Sequence, residues 1–503
     1  MTVHCNGAGT GDDVIRSQGL GSAKSGLANS LGSAMGEQPD PVVPMGGRPR
    51  VCFVSLYSYP LFNPACKSPF GGSEVRVSLL AKELARCGTY DICMLVFDHG
   101  QADVERICGV TVVRWDKWVC PLAVTLHPKK PETPISQQPP AVEFGVQPQV
   151  HLGLFWKRVR FLHRVARFAR DKLISVSVST SGTLPECLNT RSVFGVIGNH
   201  VVDASRILGY EKVDADVYVL PGNSDMAAEL ALFCKRRGKK YVFLSGSDGD
   251  YHPDYKASPE KKGIYGLPGF LMNYAIESAD CHVVQTPKQA EMLRQTYGRT
   301  SVVMKNPVDL EVKQLARKEF VLWVGKSDWI KRPELILDIA RQLPKLNFMI
   351  IMTVSNPGIH TKCIQVAKTL SNVQVCEYVL FTDVEAYFAR AKVFVNTSRF
   401  EGFPNTFLQA GKHGTPLVSL DVDPGGMLSE HGCGVLCHSD LPRMASAINM
   451  LYEENELWAR MSERCISYVA REHDKSKIAK QFEVVLSELL RCSNETFTKE
   501  KEK

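Results

Sequence analysis

Residues 399–420 read RFEGFPNTFLQAGKHGTPLVSL, and the order of residue types predicts a turn, a helix and a strand. Residues Lys392–Ser398 are rich in β-formers and predict a strand that leads into a turn at Glu401-Gly402. Pro404-Asn405-Thr406 then predicts a helix start, and Pro416–Leu420 the next buried strand. A helix that begins just after a strand directs free N–H groups and the positive end of its dipole at an anion such as a phosphate. A carboxylate at the same turn can accept hydrogen bonds from sugar hydroxyls, so the stretch is typical of a nucleotide-sugar site.

Strands alternate with helices on both sides of this stretch. The first predicted strand is Val51–Leu56 and the last is Gly434–Leu436, with segments of helical spacing between the apolar runs. Such alternation predicts parallel, doubly wound α/β sheets, in which ligands bind at the carboxyl ends of the strands. The turn Lys305-Asn306-Pro307-Val308 divides the pattern into two halves. We therefore expect two facing Rossmann-like sheets with one cleft between them.

The quoted stretch resembles the nucleotide-sugar signature of the family-4 retaining glycosyltransferases, the group 1 enzymes with two facing Rossmann-like domains. In that family two glutamates are separated by seven residues. Glu401 matches the first, which the resemblance implies as a ligand of the donor sugar. Gln409 stands in place of the second, which binds the ribose hydroxyls in the family. The Gln409 amide oxygen still accepts a hydrogen bond but lacks the charge of a carboxylate.

The resemblance covers most of the chain in architecture and implies a fold of the GT-B type. We expect a disordered tail at 1–49, because its Gly, Ser and Pro content leaves little apolar surface to bury. An acceptor-side Rossmann-like domain is expected at 50–305, and a nucleotide-sugar-binding domain at 306–475. Residues 476–503 are expected to form a cross-over helix and a polar tail.

Three cations follow the predicted strand Phe320–Val324. Lys326 comes first, and Lys331 and Arg332 follow it in the same loop. Cleavage of a sugar–phosphate bond leaves a nucleoside diphosphate whose growing charge fixed cations stabilise most in the transition state. Lys326 stands where the family often has an arginine, so a point charge replaces a bidentate fork. Lys331 matches the family's lysine, a one-residue shift would give that role to Arg332, and a solvated basic loop is the alternative.

A glycine pair separates the first strand from the first predicted helix. Gly71 and Gly72 allow close approach of the backbone to a phosphate or sugar and match the family's glycine-rich loop, with a plain turn as the alternative. Glu74 is either an acceptor-side residue or one that complements the helix dipole. The residues expected to be catalytic are Glu401, Lys326 and Lys331, and those expected to bind the donor are Gly71, Gly72, Arg332, Phe403, Pro404, Asn405, Thr406 and Gln409.

The first half departs most from the family pattern. A histidine is common in the family after the strand that matches Val217–Leu220, but this chain continues with Pro221-Gly-Asn-Ser224. Asp248 and Asp250 follow the next strand and are candidates to orient an acceptor hydroxyl. A calcium loop that includes Asp254 is a weaker interpretation, because the full loop spacing and its terminal glutamate are absent. A plain acidic loop is the other alternative.

Composition and charge exclude several classes of protein. A hydrophobic content of 44% and a charged content of 22% are those of a globular protein. The net charge of +7 suits anionic ligands, and no nucleic-acid-binding motif accompanies it. The 16 cysteines are scattered, which favours free thiols in a reducing compartment over a disulfide framework. The cluster from His431 to His438, with Cys433 and Cys437, lacks the usual spacing of a metal site, and no metal is expected.

The sequence shows neither a secretory signal nor a run long enough to span a membrane, and we expect a cytoplasmic protein. Residues 121–150 read as an irregular insertion, and residues 152–173 predict a basic amphipathic helix. A surface helix packed on the sheet is the favoured interpretation of 152–173. Peripheral contact with the inner face of an anionic membrane, which would suit a lipid-linked acceptor, is the alternative.

The residues described above, together with the family resemblance, imply a retaining glycosyltransferase of the hexosyltransferase type. It would move a sugar from a UDP or GDP type donor to a glycan or lipid-linked acceptor, without metal or other cofactor, as in polysaccharide biosynthesis. The alternatives are a nucleotide-sugar epimerase or hydrolase of the same architecture, and a catalytically silent nucleotide-sugar-binding protein. The base stays open, because the family contacts it through main chain, here at 377–383.

Overall fold

The computed structural model describes residues 47–115, 193–197, 200–264, 266–312 and 317–501. Most of the predicted tail at 1–49, the insertion at 121–150 and the basic helix at 152–173 lie outside these ranges. Among the described helices, none combines the length and the apolar character needed to cross a membrane.

The first lobe is built on a sheet whose strands alternate with helices. Its described elements are β1 (Arg50–Val54), α1 (Gly72–Cys87), β2 (Asp91–Phe97), β3 (Val104–Ile107), β4 (Val110–Trp115), β5 (Val193–Ile197), β6 (His200–Asp203), α2 (Ala204–Val213), β7 (Val217–Pro221), α3 (Asp225–Arg237), β8 (Lys240–Leu244), α4 (Asp254–Ala257), α5 (Gly269–Glu277), β9 (Cys281–Val284), α6 (Pro287–Tyr297) and β10 (Val302–Val303).

Eight of these strands form one sheet in the order β10-β9-β8-β7-β1-β2-β4-β3. All neighbours are parallel except β3 and β4. The sequence did not predict β3, a short edge strand that Cys108 and Gly109 join to β4 with positive φ angles of 52° and 80°. Strands β5 and β6 lie outside this sheet and pair with each other as an antiparallel hairpin. The connection from β5 to β6 is too short for the crossover that a parallel pair requires.

The second lobe follows the predicted alternation throughout. Its elements, with the helices that close the chain, are β11 (Phe320–Ser327), α7 (Pro333–Gln342), β12 (Phe348–Val354), α8 (Pro357–Ala367), β13 (Val373–Cys376), α9 (Phe381–Arg390), β14 (Ala391–Asn396), α10 (Asn405–Lys412), β15 (Leu417–Ser419), β16 (Gly434–Leu436), α11 (Leu441–Glu453), α12 (Asn455–Glu472) and α13 (Lys475–Lys501).

The second sheet is entirely parallel and has the order β13-β12-β11-β14-β15-β16. Its central strands β11 and β14 are neighbours, so the loops that follow them leave the same edge of the sheet. The two sheets lie on either side of Asn306 in the sequence, and the predicted fold class of two Rossmann-like sheets is confirmed. The segment boundaries at 49, 305 and 475 stay predictions.

The end of the chain returns to the first lobe. Three successive helices, α11, α12 and α13, close the chain. Helix α12 buries Cys465, Tyr468 and Val469 against the second lobe, whereas α13 packs beside α1. On α13 the fully buried Phe482 lies against Phe53 of β1, with ring centroids 6.1 Å apart. The closing helix therefore belongs to the core of the first lobe.

Truncation of Phe482 tests this packing. Phe482→Ala removes a fully buried ring and should lower the free energy of unfolding by about 3–5 kcal/mol. Val484→Ala is the matched control, because Val484 lies on the same helix with 56% of its surface exposed, and it should change stability by less than about 0.5 kcal/mol. Chemical denaturation of the full chain measures both, and equal effects would contradict the packing of α13 on the first sheet.

Candidate active site

The loops after β11 and β14 bring the two principal predicted residues together. Lys331 Nζ forms an ion pair with Glu401 Oε1 across these loops. The first loop is held by Asp328, whose Oδ1 accepts the N–H groups of Ile330 and Lys331 at 3.0 and 2.9 Å. The Lys331 and Glu401 side chains are 27% and 16% exposed, so the pair is sheltered but reachable from the cleft.

Lys326 lies at the exposed carboxyl end of β11 and faces the first lobe. Its ammonium makes no hydrogen bond or ion pair to any residue that the structure describes. A Cβ placed on Gly71 would lie 3.9 Å from Lys326 Nζ, so this cation is close to the glycine pair of the first lobe. An uncompensated cation beside a glycine loop favours binding of an anion.

Two helices begin on opposite sides of the same cleft. Helix α1 starts at Gly72 and α10 at Asn405, and Asn405 Nδ2 donates a 2.6 Å hydrogen bond to the Gly72 carbonyl oxygen. No side chain caps α10 at Pro404, and the Phe407 N–H already donates to the Pro404 carbonyl oxygen, so the N–H groups of Asn405 and Thr406 are the ones available to a ligand. The positive ends of both helix dipoles and Lys326 therefore point at one region.

The glycine pair has a clear local role. Glu74 Oε2 accepts the Gly71 N–H at 2.8 Å and the Ser73 hydroxyl at 3.0 Å, which caps α1. The structure supports the second interpretation of Glu74, in which the carboxylate stabilises the N-terminus of its own helix. An acceptor-side role for Glu74 stays a prediction with no contact to support it.

Arg332 occupies a different place from the one predicted. Arg332 Nε donates to the Thr397 carbonyl oxygen at 2.6 Å. Arg332 Nη2 pairs with the Asp421 carboxylate and donates to the Ser398 carbonyl oxygen at 3.1 Å. Arg332 has a left-handed φ of 48°, which turns its side chain back onto the strand ends. The guanidinium therefore braces two loops, and Lys331 is the cation that reaches Glu401.

The two candidate aspartates of the first lobe differ in access. Asp250 is 2% exposed, and its carboxylate accepts the N–H groups of Gly246, Ser247 and Asn223 at 2.6, 3.0 and 3.2 Å. It shapes the loop and offers no free face to an acceptor. Asp248 is more accessible and pairs with Lys288 at 2.7 Å. Within the described residues, no three His, Cys, Asp or Glu side chains group as a metal site would require.

The predicted donor-binding residues in α10 and just before it differ in exposure. Phe403 and Pro404 are buried, and the Phe403 ring lies 4.6 Å from the His473 ring. Asn405, Thr406 and Gln409 are half-buried, and Gln409 follows Asn405 by one helical turn on the same face. The Gln409 amide has no hydrogen-bond partner in the part of the chain that the structure describes. Asn405, Thr406 and Gln409 can therefore contact a ligand, whereas Phe403 and Pro404 shape the turn.

Sequence reasoning missed a chain of buried amides behind the turn. Gln285 Oε1 accepts the Phe403 N–H at 2.9 Å, and Gln285 Nε2 donates to Asn306 Oδ1 at 3.1 Å. Asn306 Nδ2 donates to the Phe403 carbonyl oxygen at 2.9 Å and to Asn405 Oδ1 at 3.1 Å. We call the side chains of Gln285, Asn306 and Asn405 the amide relay. Because its members lie far apart in the sequence, no local pattern could have revealed it.

Gly402 sits in the narrowest part of this arrangement. A Cβ at residue 402 would lie 1.9 Å from Gln285 Oε1 and 2.8 Å from the Gly246 carbonyl oxygen. The two lobes therefore touch at a position where only glycine fits.

Gly402→Ala tests this close approach. The added methyl group must displace Gln285 or the turn, so we expect a loss of about 1–3 kcal/mol in the free energy of unfolding. Gly358→Ala in α8 is the control, since its Cβ would meet only Asn356 Oδ1 at 3.3 Å, and a change within about 0.5 kcal/mol is expected. Urea denaturation measures both, and a Gly402→Ala protein as stable as the control would contradict the packing of this turn.

His473 contacts the amide relay through the backbone of Asn306. Its Nδ1–H donates to the Asn306 carbonyl oxygen at 2.8 Å, and Nε2 has no partner among the described residues. Burial lowers the pKa of His473 to about 3. Because the unfolded chain binds this proton at higher pH than the folded one, stability is complete above pH 6.5 and falls as the pH drops towards 3.

His473→Gln should reduce this acid sensitivity. The loss of one titrating site removes up to ~1.4 kcal/mol of stability change per pH unit between those two values. His282, whose pKa burial lowers to about 4, stays in place and retains its own share. Urea denaturation at several pH values gives the slope, and an unchanged slope in His473→Gln would show that His473 is not buried in its neutral form.

Part of the chain matches a known protein family, and its fold is similar to that of solved structures. Residues 318–454 match the family described as Glycosyl transferases group 1. A search of the curated proteins finds no match. Among solved structures, sucrose-phosphate synthase from Thermosynechococcus elongatus is 16% identical, with a TM-score of 0.57 over 88% of this chain and 100% of that chain.

Two further structures have the same fold. A mutant of S. aureus TarM, solved in complex with fondaparinux, alpha-GlcNAc-glycerol and UDP, is 13% identical, with a TM-score of 0.56 over 86% of this chain and 99% of that chain. A glycosyltransferase from Rickettsia africae is 11% identical, with a TM-score of 0.51 over 88% and 99% of the two chains. The GT-B fold is therefore confirmed, residues 318–454 are a group 1 glycosyltransferase domain, and the chain is a glycosyltransferase, as the sequence predicted.

Proposed function

We propose that this chain is a retaining glycosyltransferase that moves a sugar from a nucleoside-diphosphate sugar to a glycan or lipid-linked acceptor without a metal ion. The observation that carries the proposal is the convergence of Lys326, the Lys331–Glu401 ion pair and the N-termini of α1 and α10 on one cleft. This arrangement supplies positive potential for a diphosphate and one carboxylate for a sugar. A role in polysaccharide biosynthesis in the cytoplasm is part of the same proposal.

The leaving diphosphate would be bound at the unpaired cation. Lys326 and the first-turn N–H groups at Asn405 and Thr406 would neutralise the charge that grows as the bond from the anomeric carbon to the phosphate oxygen breaks. Lys326 and the helix dipoles are fixed in place and would supply positive charge to the leaving group from the protein itself. The Gln409 amide, one turn along α10, would accept a hydrogen bond from a ribose hydroxyl.

Lys331 and Glu401 would separate when the donor binds, and each would then contact a different part of the donor. In the free protein each side chain compensates the other's charge. A diphosphate would attract Lys331, and Glu401 would then be free to accept hydrogen bonds from the hydroxyls of the donor sugar. The pair thus keeps both side chains ordered at the site without a ligand.

Retention of configuration at the anomeric carbon determines which group takes the proton of the acceptor hydroxyl. The acceptor oxygen must attack the anomeric carbon from the face that the phosphate leaves, so the departing phosphate oxygen is placed to take the acceptor's proton. The products are the glycosylated acceptor and a nucleoside diphosphate that carries this proton or releases it. No side-chain base is required, which agrees with the engagement of Asp250 in its own loop.

The acceptor would bind in a groove of the first lobe. A cavity of about 720 Å³ lies between the loops after β1 and β2, and Tyr59, Asn63, Ser68 and His99 contribute to its lining. The His99 ring stacks on Tyr59 with centroids 5.5 Å apart, and Nδ1 lies 3.0 Å from Ser68 Oγ. The His99 Nε2 is left without a partner among the described residues. These polar groups, with Lys67 and Asp98 in the same lining, can form hydrogen bonds with the hydroxyls of a carbohydrate.

The proposal is tested by the response of thermal stability to UDP, GDP and ADP, each with and without EDTA. A ligand that binds only the folded state raises apparent stability by mass action, so one nucleotide should raise Tm, and EDTA should not change the shift. Lys326→Met should reduce the shift and lower the release of that nucleoside diphosphate from its sugar conjugate by about 10²-fold.

Lys345→Met is the matched control, because Lys345 is an exposed lysine of the same lobe away from the cleft, and it should behave like the wild type. No shift with any nucleotide would overturn the donor site. A shift that EDTA abolishes would overturn the metal-free reaction, and a shift without turnover over a broad acceptor panel would favour a silent binding protein.

A further inference from the structure

The amide relay connects three parts of the molecule that the chain itself keeps apart. Gln285 follows β9 in the first lobe, Asn306 lies between the two sheets, and Asn405 begins α10 in the second lobe. Gln285 and Asn306 are 4% and 1% exposed. Buried amides that are fully paired hold their partners in one arrangement, because each lost bond leaves an unsatisfied polar group.

Backbone groups fix the direction of every amide in the relay. The Phe403 N–H can only donate, so Gln285 presents its oxygen there and its nitrogen to Asn306. The Phe403 carbonyl oxygen can only accept, so Asn306 presents its nitrogen to it and to Asn405 Oδ1. Asn405 is then left with its nitrogen towards the Gly72 carbonyl oxygen, at 2.6 Å. One consistent orientation therefore runs from Gln285 to the start of α1.

The relay holds the backbone of Phe403 on both sides of its Cα, at the N–H through Gln285 and at the carbonyl oxygen through Asn306. Phe403 directly follows the turn that carries Glu401 and precedes the N-terminus of α10, so its position sets both. The far end of the relay reaches Gly72 of the glycine pair, which lies opposite Lys326. We propose that Gln285 and Asn306 are positioning residues that hold the Glu401 turn and the glycine pair in register, so that the two halves of the site form one unit.

An Asn306→Asp substitution reverses one link without changing the size of the side chain. A carboxylate at 306 would face the Phe403 carbonyl oxygen and Asn405 Oδ1, with no proton for either. If Asn405 turns its amide to donate to residue 306, its oxygen then faces the Gly72 carbonyl oxygen. In both cases the connection from residue 306 to Gly72 is lost.

Hydrogen exchange of the full chain without ligand tests the proposal. Asn306→Asp should raise the exchange of backbone amides at least about threefold in two separate segments, 403–408 and 72–77. Asn372→Asp is the matched control, because Asn372 Nδ2 also donates to buried carbonyl groups, those of Ala340, Leu343 and Leu346, but outside the relay. The control should leave 72–77 unchanged, and wild-type exchange at 72–77 in Asn306→Asp would overturn the proposal.

Gln285→Met is the second variant, in case Asn306→Asp does not fold. It frees the Phe403 N–H and one side of Asn306, so exchange should again rise at 403–408 and more weakly at 72–77. Exchange that rises only beside residue 285 would contradict coupling across the cleft.

A pH profile separates positioning from a general loss of structure. A neutral carboxylic acid can donate one hydrogen bond, and burial among acceptors raises the pKa of such a group. The difference in corrected exchange between Asn306→Asp and wild type should therefore shrink from about pH 8 to about pH 5. A constant difference would contradict the directional relay. These measurements need no donor, so their outcome does not depend on the proposed function.

Discussion

The hydrogen bonds that Gln285 and Asn306 make to the backbone N–H and carbonyl oxygen of Phe403 are the constraint on which the site depends. They place the turn that carries Glu401 and the first residues of α10 against the first lobe. Gly402 allows this approach because it has no side chain to separate the lobes. Without this contact, each sheet would still present loops at its carboxyl edge, but the loops would not face each other at a fixed distance.

The charged side chains of the cleft determine which ligand it can bind. Lys331 and Glu401 compensate each other, Arg332 is engaged with Asp421 and two carbonyl groups, and Lys326 remains uncompensated among the described residues. The N-termini of α1 and α10 add positive potential from the two sides of the cleft. A cleft with one unpaired cation and one carboxylate on a paired cation is suited to a ligand that carries a diphosphate and a sugar in the same molecule.

The sequence predicted the parts of the site that depend on local pattern. The order of strand, turn and helix around Glu401 and the cations after β11 were visible because each lies within one short segment. The choice between Lys331 and Arg332 was not visible, because it depends on the left-handed backbone of Arg332. The engagement of Asp250 could not be predicted either, since its partners at Asn223 and Gly246 lie on two different loops. The amide relay was missed for the same reason, as three distant segments must fold before its members meet.

A structure of the full chain with the nucleoside diphosphate that stabilises it tests the central claim most directly. We expect the diphosphate between Lys326 Nζ and the N-terminus of α10 at Asn405 and Thr406, with the ribose beside Gln409. The relay from Gln285 to Gly72 should stay intact in the complex. A diphosphate bound away from Lys326, or a complex in which the Phe403 peptide has left Gln285 and Asn306, would contradict it.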